Sequence, residues 1–230
     1  MKAHQATKNH ISWLLCSLTT LCIVCVGWRT GLFWDNILFI NRFGSTLLEH
    51  GLWNWMSLPL QHDPGHPMLP AMYIAGMWSI FGKTMVVTHL SVIPFIFLFC
   101  YILWLIVYNL FGYTKWALAT YLIVIADPCV FSQLMYIGPE LFVLTFTGLA
   151  IYGIWKPSTI LQTIGLMALG VTSLRGMMLC AGIFLWDICH NKKIKPIAYI
   201  LGALPAITFL ALRIIIKGWI ISNPLAPWGG

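Results

Sequence analysis

The sequence predicts an all-α polytopic membrane protein with about seven transmembrane helices and two interfacial helices in a long first outer loop. Of its 230 residues, 60% are apolar and only 8% are charged, and the mean hydropathy is +0.85. Such a chain has too few polar residues to cover a water-soluble globule. Several of its apolar runs are also long enough to cross a bilayer core of about 30 Å. Residues 1–230 are therefore interpreted as a single membrane domain.

The first predicted span covers residues 11–28 and follows Lys2 and Lys8. No small-residue cleavage site precedes Trp28, so we expect an uncleaved helix rather than a signal peptide. The remaining spans are predicted within residues 85–216, at residues 85–111, 116–131, 140–155, 159–189 and 196–216. The run 159–189 is too long for one untilted span and is interrupted by the polar residues 173–176. It therefore predicts a pair of short helices, which brings the count to seven.

The lysines of the short loops predict the orientation of the chain. They are Lys115, Lys156, Lys192, Lys193 and Lys195, whereas the opposite loop 132–139 carries none. Because basic residues favour the cytoplasmic side, we expect these loops and the N-terminus inside, and residues 33–82 and the tail 217–230 outside. The net charge of +7 is explained by this topology, and no nucleic-acid partner is expected. The absence of an N-glycosylation sequon favours a bacterial plasma (inner) membrane.

Residues 33–82 form the first outer loop, in which we expect two short interfacial helices. Asp35 can cap the first helix and Gly51 can end it. The second helix is predicted to begin at Pro67 or Pro70 and to end at Gly82. The loop holds three of the six acidic residues and three of the seven histidines of the chain. A site for a charged, polar substrate is expected here, although ordinary water-facing loops would produce part of the same pattern.

Four motifs follow one another in this loop. They are Asp35-Asn36 directly after the first span, LLEHGLW at 47–53, HDPGHP at 62–67 and SIFG at 79–82. This order resembles the GT-C class of membrane glycosyltransferases, specifically the dolichyl-phosphate-mannose protein mannosyltransferase and aminoarabinose transferase group. Three positions depart from the family pattern: Asn36 replaces a second acid, Leu38 replaces a basic residue that these transferases often carry three positions after the aspartate, and His66 replaces a lysine. The chain also has fewer spans than its relatives, as expected for a short or truncated member.

The resemblance implies an inverting glycosyltransferase that moves a sugar from a polyprenyl-phosphate-linked donor to an acceptor glycan, lipid or protein on the outer face. It marks Asp35 as the catalytic carboxylate, which takes the acceptor proton or stabilises the cation-like sugar. The expected substrate-binding residues are Asn36, Arg42, His62, Asp63, His66, Glu140 and Arg175. Among these, Arg42, His66 and Arg175 are the candidates for contacts with the phosphate.

Each assignment has an alternative at this stage. Asp35 can be a simple helix cap at the membrane surface, and Arg175 can contact a membrane lipid headgroup. His62, Asp63 and His66 can form a hydrogen-bonded turn or hold a divalent metal, although no cofactor is expected because further protein ligands are missing. The competing functions are a non-catalytic membrane subunit and a lipid or sugar transporter.

The predicted orientation can be tested by labelling introduced cysteines in intact cells. A membrane-impermeant maleimide should label Gln61→Cys in the outer loop and leave Lys193→Cys unlabelled until the cells are opened, because the two positions are predicted on opposite sides. The unmodified chain measures labelling of the native cysteines. Labelling of Lys193→Cys from outside would refute the topology and the placement of the site.

Overall fold

Helices form most of the protein in the computed structural model, which describes residues 2–32, 36–56, 58, 63, 65–191 and 194–218. These residues contain no β-strand. The helices are α1 Lys2–Gly27, α2 Phe43–His50, α3 Leu69–Phe81, α4 Met85–Phe111, α5 Lys115–Ala126, α6 Pro128–Met135, α7 Pro139–Trp155, α8 Thr159–Gly170, α9 Leu174–His190 and α10 Pro196–Lys217. A π-helical turn, Ile37–Arg42, leads into α2, and a 3₁₀ turn, Asn54–Met56, follows it. The predicted all-α class is confirmed.

Among the described residues, three helices are long and apolar enough to cross a membrane. They are α4, α10 and the part of α1 from His10 to Gly27. The pair α5 and α6 forms a fourth candidate, bent by 65°. The protein is therefore a helical membrane protein, as predicted. The count of seven spans stays a prediction, because α8 has 12 residues and such a helix is only about 18 Å long.

Local signals explain where the helices begin and end. Gly51 and Gly82, predicted as helix ends, follow α2 and α3 with φ angles of +98° and +87°, which glycine adopts without steric cost. Asp127 ends α5 and caps α6, accepting hydrogen bonds from the backbone N–H groups of Cys129 and Val130 at 3.0 and 3.1 Å. Pro128 follows it and disfavours a continuous helix. The predicted single span 116–131 is thus broken.

The predicted pair of short helices within residues 159–189 is present as α8 and α9, with a small shift of the break. Residues 171–173 separate them, and Arg175 lies in the first turn of α9 rather than in the turn between the helices. Ser173 caps α9, because its hydroxyl accepts a hydrogen bond from the N–H of Gly176 at 3.1 Å. The cap is the reason that the helix begins before Arg175.

The two helices of the outer loop pack against each other through their apolar faces. Their shared cluster consists of the buried residues Phe43, Leu47, Leu58, Met68, Ala71 and Ala75. Two side chains of α3 attach it to α4: the indole of Trp78 donates to Thr88 Oγ1 and the hydroxyl of Tyr73 donates to the Ser91 carbonyl, both at 2.8 Å. The predicted helices are confirmed, and their position in the membrane interface stays a prediction.

Residues predicted on the inner side meet at one end of the molecule. Lys156 at the end of α7 donates to Asn109 Oδ1 near the end of α4 at 2.9 Å. Lys195, which precedes α10, donates to the carbonyl of Pro157. These segments, all predicted on the inner side, therefore lie together in the structure, and their side of the membrane stays a prediction.

Small residues let α8 pack closely against its neighbours α7 and α10. A Cβ atom added to Gly165 would lie 2.5 Å from the backbone nitrogen of Ala150 in α7. A Cβ added to Gly202 of α10 would lie 2.6 Å from the Leu166 Cβ. Close backbone approach at small residues is how helices gain dispersion contacts in a membrane, where the hydrophobic effect between helices is weak. This packing fixes α7 relative to the α8–α9 turn.

We expect Gly165→Ala to lower the free energy of unfolding by about 1–3 kcal/mol, because the added methyl group meets backbone atoms that cannot move independently. Gly182→Ala in α9 is the matched control, since a Cβ there meets no atom within 4 Å and alanine favours a helix by up to about 1 kcal/mol. Thermal unfolding of the purified proteins in one detergent measures both. Equal stability of the two variants would contradict the close packing of α7 and α8.

Candidate functional site

A cavity of about 660 Å³ opens between the outer loop and the starts of α7 and α9. We call it the polar cavity. It is lined by Ile37, Leu38 and Phe39 of the π-helical turn, by His66 and Pro67, by Pro139 and Glu140, and by Thr172, Ser173, Leu174 and Arg175. Three predicted substrate-binding residues, His66, Glu140 and Arg175, thus meet here. All three lie in segments predicted on the outer face.

Arg175 and Glu140 form an ion pair on the wall of the polar cavity. The distance from Arg175 Nη1 to Glu140 Oε1 is 2.9 Å, and the side chains are 74% and 31% exposed. Each residue lies in the first turn of its helix, α9 and α7 respectively. An exposed ion pair contributes little stability because water screens it. An anionic ligand can therefore take the place of Glu140 on the guanidinium at small cost.

Arg175 also lies in the first turn of α9, where the partial charge of the helix does not stabilise a cation. The N-terminus of a helix carries a partial positive charge, which favours an anion over an arginine. Glu140, in the first turn of α7, has the favourable sign. The wall of the polar cavity at Thr172, Ser173 and Arg175 is thus suited to an anionic group.

His66 faces the polar cavity as a half-buried side chain. Its ring lies edge-on to the ring of Phe39, with centroids 5.6 Å apart. Burial lowers the pKa of His66 below its usual value, and the positive charges of Arg213 and Arg175 lower it further, while Asp63 acts in the opposite direction. His66 is therefore neutral at pH 7 and offers hydrogen bonds rather than a positive charge.

Asn36 lies next to the wall of the polar cavity but outside the open space. It is buried, and its Oδ1 lies against Gly138, where an added Cβ would be 2.5 Å from Asn36 Oδ1 and 3.0 Å from Glu140 Oε2. A larger residue at position 138 would therefore have to displace the side chains of Asn36 and Glu140. Asn36 does not line the polar cavity, so the structure places it beside Glu140 rather than in the open space.

Asp63 lies away from the polar cavity, in a buried ion pair. Arg213 of α10 approaches its Oδ1 at 2.9 Å, and Lys217 approaches its Oδ2 at 3.6 Å. The N–H of Gly65 also donates to Asp63 Oδ1 at 3.0 Å. Asp63 was predicted to bind substrate. The structure instead gives it a tertiary partner and the hydrogen-bonded turn that was the alternative.

Arg213 and Lys217 were not predicted as part of the site region. One signal in the sequence pointed to Arg213. This residue interrupts the apolar run of the last span, and an arginine there requires an anionic partner or water. The pattern could not name that partner, because Asp63 lies 150 residues earlier.

Of the remaining predicted site residues, only Arg42 belongs to the part of the chain that the structure describes. Arg42 is half-buried at the end of the π-helical turn and does not line the polar cavity. Asp35 and His62 lie outside the described residues. The described residues contain no group of three or more His, Cys, Asp or Glu side chains that could hold a metal. The metal alternative, which included His62, stays a prediction.

A second cavity of about 440 Å³, which we call the apolar groove, borders the polar cavity. Its lining comes from α3, α10 and their neighbours, and consists of Trp55, Pro67, Met68, Leu69, Met72, Val171, Leu204, Pro205, Thr208, Phe209 and Leu212. Pro67 lines both cavities, and Val171 of the groove precedes Thr172 of the polar cavity. The polar cavity and the apolar groove therefore share one wall. Charged side chains line the polar cavity, and mainly apolar side chains line the groove.

Comparison with known proteins finds no matching family model, no matching curated protein and no matching solved structure. The resemblance to the GT-C transferases therefore stays a prediction from the motifs of the outer loop.

The lowered pKa of His66 predicts a loss of stability in mild acid. Below about pH 6.5, the usual pKa of histidine, the unfolded chain binds a proton that the folded protein does not, so the free energy of unfolding falls as the pH falls. His66→Gln should reduce this pH dependence, and His50→Gln, at the exposed end of α2, is the matched control. Thermal unfolding between about pH 7.5 and about pH 5 measures the difference. An equal slope for His66→Gln and the unmodified protein would contradict the burial of this ring.

Proposed function

We propose that this protein is a membrane glycosyltransferase of the GT-C type, which transfers a sugar from a polyprenyl-phosphate donor to an acceptor on the outer face of a bacterial inner membrane. The seven spans of this proposal are α1, α4, the bent pair α5–α6, α7, α8, α9 and α10. The observation that carries the proposal is the shared wall of the polar cavity and the apolar groove. A ligand that fits both must have an anionic head and a long hydrocarbon chain.

The phosphate of such a donor is expected at Arg175. Its guanidinium is largely exposed in the polar cavity and is held in place by Glu140. A planar guanidinium matches two phosphate oxygens in a bidentate contact. His66 adds a hydrogen bond without a charge, which agrees with a site that must release a phosphate product after the transfer.

The hydrocarbon chain of the donor is expected in the apolar groove. From the phosphate it passes Pro67, which belongs to both cavities, and continues between Met72 of α3 and Phe209 of α10. Methionine, with an unbranched and flexible side chain, adapts well to an irregular isoprenoid chain. The groove belongs to helices of the membrane domain, where a lipid-borne substrate arrives.

Asp35 is proposed as the general base. In the sequence it stands two positions before Ile37, which lines the polar cavity. Its carboxylate removes the proton of the acceptor hydroxyl while that oxygen attacks the anomeric carbon, and the bond from this carbon to the phosphate oxygen breaks. The leaving phosphate keeps the bonding electrons and is stabilised by Arg175. Attack from the opposite face inverts the anomeric centre, and Glu140 is placed to contact sugar hydroxyls.

A transporter of the same class of lipid is the second candidate. The 65° bend between α5 and α6 favours it, because broken spans are frequent in transport pathways. The groups in the polar cavity would then bind the cargo without changing it. Transfer activity separates the two functions, since a transporter returns its lipid unmodified.

Two variants test the proposal. Asp35→Asn should lower transfer by about 10²–10⁴-fold while polyprenyl phosphate still binds, because only the base is lost. Arg175→Gln should weaken binding of polyprenyl phosphate by about tenfold to a hundredfold, because it removes a charged hydrogen-bond donor. Binding is measured with the purified protein, and transfer by mass spectrometry of the envelope glycans in a deletion strain that expresses each variant.

Lys83→Gln is the matched control. Lys83 directly follows the outer loop and is also a cation. It donates to Ser45 Oγ at 2.7 Å and does not line the polar cavity. It should change neither measurement. Normal glycans in the Asp35→Asn strain would refute the catalytic proposal and favour a non-catalytic subunit or a transporter.

A further inference from the structure

A buried ion pair joins the last described helix to the outer loop. The side chains of Arg213 and Asp63 are 1% and 0% exposed, with 2.9 Å between Nη1 and Oδ1. Lys217, one helical turn later and 11% exposed, lies 3.6 Å from the second carboxylate oxygen. Two cations thus surround one carboxylate that water does not reach. Charges so deeply buried are retained only with partners, because their desolvation is costly.

Further contacts attach the same part of the loop to α10. Lys217 donates to the carbonyl of Leu58 at 2.7 Å. Trp55 stacks on Phe209, with ring centroids 5.4 Å apart and an angle of 11° between the planes. Within α10, the guanidinium of Arg213 lies over the same Phe209 ring, 5.5 Å from its centroid. Three points of the outer loop are therefore held by one helix.

The residues next to Asp63 form the wall between the two cavities. Asp63 accepts a hydrogen bond from the N–H of Gly65, and this turn leads directly to His66 and Pro67. At the other end, the N–H of Leu69 donates to the carbonyl of Val171 at 3.2 Å. The short wall segment 65–68 is thus held at both ends, by α10 through Asp63 and by the α8–α9 turn through Leu69.

We propose that Arg213 and Lys217 are positioning residues, which hold Asp63 and thereby set His66 and Pro67 at the wall that the polar cavity and the apolar groove share. They do not touch the ligand. The nature of that ligand rests on the proposed function, whereas the mechanical role of the ion pair does not. When the Asp63–Arg213 ion pair is lost, the wall segment is no longer held at its Asp63 end. The polar cavity and the apolar groove then lose their common boundary.

The position of the wall segment can be measured with His66→Cys as a probe for a membrane-impermeant maleimide. Cys129→Ser is added to every protein, because Cys129 is an exposed cysteine near the outer end of α6. Asp63→Asn and Arg213→Gln should each raise the labelling rate about tenfold or more, since either change removes one charge of the buried ion pair that holds the wall segment. Arg213→Lys keeps the cation and should restore most of the protection. Lys83→Gln should leave the rate unchanged.

Two controls separate a local opening from unfolding. Cys100 has no exposed surface, so its labelling, followed by mass spectrometry, reports global unfolding and should stay absent in all variants. If Arg213→Gln proves unfolded by this criterion, Lys217→Gln replaces it, and a smaller but clear increase in labelling is expected. Labelling that is unchanged in folded Asp63→Asn and Lys217→Gln proteins overturns the positioning role.

Binding of polyprenyl phosphate to the same variants, carrying native His66, links the position of the wall to the site. Asp63→Asn should weaken it, and Arg213→Lys should bind more tightly than Arg213→Gln. Faster labelling with unchanged binding overturns the claim that the wall segment shapes the site. If the unmodified protein does not bind this lipid and labelling still responds to the variants, the proposed donor is wrong and the positioning role stands.

Discussion

Asp63 is a carboxylate without exposed surface, and its ion pairs with Arg213 and Lys217 join residues 33–82 to α10. A buried carboxylate must find a cation or lose its charge. The cation here comes from a helix 150 residues later, so the loop between the first two long helices can take its place only when α10 is also in place. The wall segment, the polar cavity and the apolar groove all follow from this arrangement.

The other half of the site depends on how closely the helices approach. Gly165 of α8 lies against the backbone of Ala150 in α7, and Gly202 of α10 lies against the Leu166 side chain of α8. The first turn of α7, with Glu140, meets the first turn of α9, with Arg175. Small residues at the helix contacts therefore help to position these two charges.

The two arginines Arg213 and Arg175 lie in different environments. Arg213 is buried and paired, and its contribution is structural. Arg175 is exposed in the polar cavity, next to a helix N-terminus, with a partner that an anion can displace. Burial lowers the pKa of His66, and the positive charges of both arginines lower it further, so that its imidazole is neutral at pH 7. Among the described residues that line the polar cavity, Arg175 is the exposed cation, and the apolar groove borders this cavity.

The sequence by itself determined the class of the protein and most of its helix boundaries. Apolar runs, prolines, glycines and hydroxyl caps act within a few residues, so the ends of the outer helices at Gly51 and Gly82 and the short pair around residue 173 could be predicted. The pattern of loop charges also predicted that His66, Glu140 and Arg175 lie on the same side of the membrane.

Only the tertiary structure decided which of these residues meet. The partner of Asp63, the position of Asn36 behind the cavity wall and the bend at Asp127 arise from packing or from competition between local signals. A carboxylate in the sequence looks the same whether it faces a substrate or a buried arginine. The physical reason is that an ion pair depends on distance in space, and a pattern of residues records only distance along the chain.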